Sequence, residues 1–87
     1  MTATCDNVSV PDVARIGPYC FFFYSNERGE PPHIHVRQDR KVAKFWLEPV
    51  SLAGTKRFAA HELNQLERIV TEHEREFKEA WNENLSG

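Results

Sequence analysis

The stretch PPHIHVRQ, residues 31–38, places two of the chain's four histidines two positions apart. Side chains at i and i+2 of a β-strand share a face, roughly 7 Å apart along the backbone. With a third ligand, two imidazoles so placed hold a transition metal, and Glu27, Glu48 and His61 are the candidates in the chain. A histidine pair without further cysteine or carboxylate spacing is a weak zinc signal, so no metal and no cofactor are expected. Without metal, histidine titrates near neutrality and serves as general acid or base. One imidazole would take the 2′-hydroxyl proton of RNA while its neighbour protonates the leaving oxygen. Arg37 or Lys44 would stabilise the charge on the phosphate, and Trp46 or Tyr24 would stack on a base. The catalytic candidates are therefore His33, His35, Arg37 and Lys44. The plain alternative is a solvated polar stripe on the outside of a sheet. Residue types alone do not decide between enzyme and binding surface, because geometry is the test of catalysis.

Other chemistry-bearing residues read as structural. His73 falls on an apolar helix face, where a hydrogen-bonded core histidine is the default, and His61 in the first helical turn is expected to be exposed. Cys20 sits inside the apolar run YCFFFY and Cys5 in a polar tail. Two inert thiols in a reducing compartment are the expectation for them. The chain carries no phosphate-binding glycine loop, no CxxC pair and no GxSxG. Its start does not resemble a signal peptide, and Tyr19–Tyr24 is far too short to cross a membrane. A soluble, cytoplasmic protein is expected.

The elements that must position these residues follow from pattern. Eighty-seven residues, 40% of them apolar, make one domain with a core rich in phenylalanine. Met1–Ser9 reads as a flexible tail and residues 10–87 as the single domain. RIGPY carries Gly17-Pro18, a turn delivering the chain into the strand YCFFFYS. NERGEPP is a loop, and HIHVR and VAKFWLE alternate around the short link QDRK as a hairpin. Ile34 and Val36 then face the core, with His33, His35 and Arg37 opposite. Pro49 interrupts, VSL adds a short edge strand, and AGTKR reads as a loop. From about Ala59, Leu63, Leu66, Ile69, Val70, His73, Phe77, Ala80, Trp81 and Leu85 fall within an arc of about 160°. The expected fold is α+β: a small antiparallel sheet of three to four strands. One long C-terminal amphipathic helix, with a kink near His73 allowed, packs on it.

Charge divides along the chain. Up to Arg57 there are eight basic and six acidic residues, and beyond it three basic and seven acidic. Arg37, Arg40, Lys41 and Lys44 stand against Asp39 alone between residues 37 and 44. A basic sheet beside an acidic helix suits RNA or an acidic partner, and it also suits an ordinary solvated surface.

ARIGPYCFFFYSNERGEPPHIHV, AKFWLEPVSLA and IVTEHEREFKEAWNE together resemble domain-of-unknown-function family 4160. The resemblance runs from about Val10 to Leu85, and its PPHIHV core and EAWNE ending are specific in combination. It implies the toxin side of a type II toxin–antitoxin pair. The implied partner is a small cognate antitoxin of the type of domain-of-unknown-function family 2442. Only motif positions carry over: Tyr24, Glu27, His33, His35, Lys44 and Trp46, with Tyr24, Glu27 and Trp46 as binding residues. Two departures stand out. The tail precedes the usual start, and Ala59 replaces a capping serine ahead of Glu62, which would leave the first helical turn prone to fray. A toxin component is thus the leading expectation. A non-catalytic nucleic-acid or protein binding module and a small ribonuclease are the alternatives, and the homo-oligomeric state is left open.

Overall fold

Apolar runs, alternating in β3 and β4, become five strands in the computed structural model, which describes residues 12–24 and 29–85. They are β1 (Asp12–Ile16), β2 (Tyr19–Phe22), β3 (His33–Gln38), β4 (Lys41–Leu47) and β5 (Val50–Lys56). Each pairs antiparallel with the next, in the order β1-β2-β3-β4-β5. Helices α1 (Ala60–Glu72) and α2 (Glu74–Leu85) follow. Phe21, Phe23, Ile34, Val36, Phe45 and Leu47 from the sheet meet Leu66, Val70, Phe77 and Trp81 from the helices. Phe77 stacks on Phe21 with ring centroids 5.2 Å apart, and Trp81 meets Phe23 edge-on at 5.5 Å. The tail Met1–Ser9 lies outside the described residues.

The expected sheet of three to four strands under one long helix is corrected to five strands and two helices. At the start, RIGPY is not only a turn. Gly17 takes φ +58, a left-handed conformation open to glycine, and folds Asp12–Ile16 back along β2 so that Ile16 faces Tyr19. At the other edge, AGTK continues the strand begun by VSL and is no loop. Leu52 faces Phe45 and Gly54 faces Lys44, leaving Ala53 as an extra residue in a bulge. That inserted residue breaks the alternation, which hid the strand. The turn between β4 and β5 is Glu48-Pro49, with a cis peptide bond.

The helical segment breaks at His73, whose φ of −110 and ψ of 18 leave the α-helical region. Its backbone ladder survives: the His73 N–H donates to the Ile69 carbonyl at 3.1 Å, and the Phe77 N–H to the His73 carbonyl at 3.0 Å. The His73 imidazole Nδ1 also donates to the Ile69 carbonyl, at 3.0 Å. Competition of side chain and backbone for one carbonyl opens the turn. The break lets α1 cover β4 and β5 while α2 covers β3 and β4.

Ala59 is the N-cap of α1, in extended conformation. Alanine has no capping acceptor, yet half of a capping box forms: the Glu62 carboxylate accepts the Ala59 N–H at 2.8 Å. The same carboxylate accepts Lys41 Nζ at 2.7 Å. The Lys41 hydrogen bond, and then that of Ala59, hold the Glu62 carboxyl below its ordinary range. At the far end, Lys78 bridges Glu74 at 2.9 Å and Glu48 at 3.4 Å, tying α2 to the turn after β4. These acceptors, Glu74 first, raise the Lys78 pKa. Cys20 is buried, but it is disulfide-bonded, which corrects the reading of two reduced thiols. Cys5 lies outside the described residues.

Candidate functional site

Because β3 and β4 send Ile34, Val36, Ala43, Phe45 and Leu47 to the helices, the residues that alternate with these line the opposite face of the sheet. Register sets the neighbours there. His33 faces Trp46, His35 faces Lys44, and on the β2 side His35 faces Phe22 and Arg37 faces Cys20.

The His35 ring is held by two aromatics. It stacks on Phe22 at 5.5 Å and meets Tyr24 edge-on at 4.8 Å. Tyr24 also stands edge-on to Phe22 at 5.4 Å and is 37% exposed. The Arg37 guanidinium lies 5.5 Å from the Phe22 centroid. Lys44 Nζ lies 4.7 Å from the Trp46 centroid and donates to Glu30 Oε1 at 2.9 Å. Cations over ring faces are attracted by the π-quadrupole, most where water is partly excluded. Tyr24, His35, Arg37, Lys44 and Trp46 are thus brought together on one face. Glu27 lies outside the described residues.

The polar stripe is not solvated as expected. His33 is fully buried. Its Nδ1–H donates to the Pro31 carbonyl at 2.9 Å, and its ring meets Trp81 at 4.7 Å, His35 at 5.1 Å and Trp46 at 5.7 Å. Glu30 Oε1 stands 3.8 Å from the same nitrogen. The local cause is the proline pair. Pro31 turns its carbonyl to the imidazole, while the Pro32 carbonyl accepts the Leu47 N–H at 3.0 Å and locks the start of β3 to the end of β4. His33 is packed between the sheet and α2. An acid/base pair needs both imidazoles open to one substrate, and only His35 has any exposure. Trp46, too, is half-buried under Lys44 and not the open anchor its sequence neighbours suggest.

The basic stretch from Arg37 to Lys44 splits between faces. Lys41 turns to the helix side, 5.8 Å from the Phe58 centroid and bonded to Glu62. Arg40 stands exposed beside Asp39, whose φ of 56 makes the hairpin turn. Of the third metal ligands considered, Glu48 pairs with Lys78 and His61 is exposed on α1. Among the described residues, no three His, Cys, Asp or Glu side chains are grouped to hold a metal ion. Sequence reasoning missed Phe22 and Glu30. The apolar run on both faces of β2 was a signal for the first, whereas the Glu30–Lys44 pair joins a loop to a strand without a local signature.

Residues 19–82 match the profile of a family described as Domain of unknown function (DUF4160). The match spans β2 through most of α2 and includes every residue of the face described above. No curated protein matches the chain, and no solved structure does.

Proposed function

The chain belongs to the DUF4160 family, and from that premise we propose that it is the toxin component of a type II toxin–antitoxin pair. In this reading a small cognate antitoxin holds it inactive by covering the outer sheet face. The toxin association comes from the family resemblance. The observation that carries the interface is the cluster of Tyr24, Phe22, His35 and Trp46 interleaved with Arg37 and Lys44. Aromatic rings and arginine supply most of the binding energy at protein interfaces, because they desolvate well and still hold a polar or charged group.

Binding is favoured over catalysis by His33. Its ring is closed to solvent, so His33 and His35 do not present a proton donor and acceptor to a common substrate. The same rings and cations suit single-stranded RNA, where stacking and phosphate contacts combine. RNA is therefore the second reading for what the face takes up when antitoxin is absent.

Induced expression of the chain alone should arrest growth, and co-expression of a cognate antitoxin of the family-2442 type should relieve the arrest. A folded Trp46→Ala, Lys44→Glu variant should no longer arrest growth. Undisturbed growth at high levels of soluble, folded parent protein would overturn the toxin reading.

A further inference from the structure

Among the described residues, β5 is an edge strand whose one strand neighbour is β4. Edge strands offer unpaired N–H and C=O groups, and proteins blunt them with charge, proline, bulges or a covering element. From Val50 to Thr55 this strand has no charge and no proline, so the bulge at Ala53 and the terminal Lys56 are the devices it carries. Although α1 packs against part of β5, each flank keeps an open position. Leu52, opposite Phe45, is 41% exposed. On the outer face, Gly54 opens a cleft of about 190 Å³ walled by His35, Val42, Lys44, Thr55 and Lys56.

Among the described residues, no close contact requires glycine at position 54. Its φ is not in the left-handed region, which Gly17 alone of the described glycines occupies. A Cβ built on Gly54 meets nothing within 4 Å. Glycine inside a strand weakens it, and it marks a bulge or the close approach of another chain. Gly54 follows the bulge at Ala53, and its bare backbone also leaves room for a neighbouring strand. A large side chain on an adjacent strand packs over a strand glycine and restores the lost contact.

Charge selects the occupant. No acidic residue lies between Val50 and His61, whereas Lys56 and Arg57 stand exposed at the strand's end and Lys44 borders the cleft. A second copy of β5 would bring no carboxylate to these cations.

We propose that β5 accepts an extended acidic segment of a partner protein as a sixth strand, seating a large apolar side chain over Gly54 and carboxylates against Lys56 and Lys44. This rests on the reading that the protein works bound to a partner, and it assigns that partner's docking chemistry. Main-chain hydrogen bonds would supply affinity, and the Gly54 cleft and the cations specificity.

The test pans the full-length protein against a displayed library of random dodecapeptides and maps the selected peptides by amide chemical shifts. Selected sequences should alternate apolar with acidic residues and perturb the β5 amides. Gly54→Val should weaken them by about tenfold or more, Lys56→Glu should weaken them too, and N-methylation of alternate peptide amides should abolish binding. Three results overturn the proposal: no peptide selected, binding untouched by Gly54→Val, or a parent homodimer that Gly54→Val dissolves. Relieved growth arrest without β5 binding sinks this proposal and leaves the toxin reading standing. Binding at β5 without growth arrest does the reverse.

Discussion

Truncating Phe77 tests how the helices seat on the sheet. Its ring is fully buried, stacked on Phe21 at 5.2 Å and on His73 at 5.8 Å. Phe77→Ala removes a buried aromatic and leaves a cavity between α2 and β2, a change that costs roughly 3–5 kcal/mol. At about 0.05–0.15 kcal/mol per residue, a chain of 87 residues holds roughly 4–13 kcal/mol in all. The substitution therefore removes much or all of the stability. Each kcal/mol moves the midpoint of a domain this size by about 4–8 °C, so any folded remainder should melt roughly 12 °C or more below the parent. Urea unfolding can be followed by fluorescence of Trp81, which sits against Phe23 and His33. Glu79→Ala, on the exposed side of α2, is the control and should stay within about 0.5 kcal/mol of the parent. A Phe77→Ala protein with an unchanged urea midpoint would refute the packing of α2.

Three further substitutions probe the supports of the fold and the site. Ala59→Ser completes the capping box already half-made by Glu62, and should add about 1 kcal/mol and raise the melting midpoint; a lowered midpoint would contradict the helix start. Glu62 has a depressed folded-state pKa, so its contribution is present above the ordinary value of 4.5 and is lost as pH falls through the folded value. Glu62→Gln should thus differ from the parent near neutrality and converge with it in acid, whereas a gap constant with pH would show that the Lys41 and Ala59 hydrogen bonds do not act through the charge. His33→Ala leaves the Pro31 carbonyl without its donor and should cost roughly 1–3 kcal/mol from that loss alone. Unchanged unfolding with impaired binding would instead make His33 a contact residue.

Where the chain alternates without interruption, pattern predicted which residues share a face: Ile34 and Val36 do face the helices, and His35, Arg37, Lys44 and Trp46 do share the other side. The lost strand and the shortened one lack that regularity. β1 has five residues and a bulge, and β5 beyond VSL carries an extra alanine and a glycine, so neither shows a period of two. The break at His73 rests on a side-chain hydrogen bond to Ile69, to which a hydrophobic arc is blind. The burial of His33 was equally hidden. It depends on Trp81, far away in sequence, closing over the start of β3. Composition named the members of the outer face but not which were open, because exposure is set by neighbours that only the tertiary fold supplies.

The outer sheet face as the proposed partner surface is tested most directly by calorimetric titration of an antitoxin of the family-2442 type into a Trp46→Ala, Lys44→Glu variant. Trp46 is half-buried and Lys44 pairs with Glu30 across 2.9 Å, so a thermal melt must first show that the variant is folded. The expected result is sharply weakened binding, with the parent's affinity falling as salt screens the cations of the face. Native affinity in a folded double variant would contradict the account and move the interface to the acidic surface of the helices.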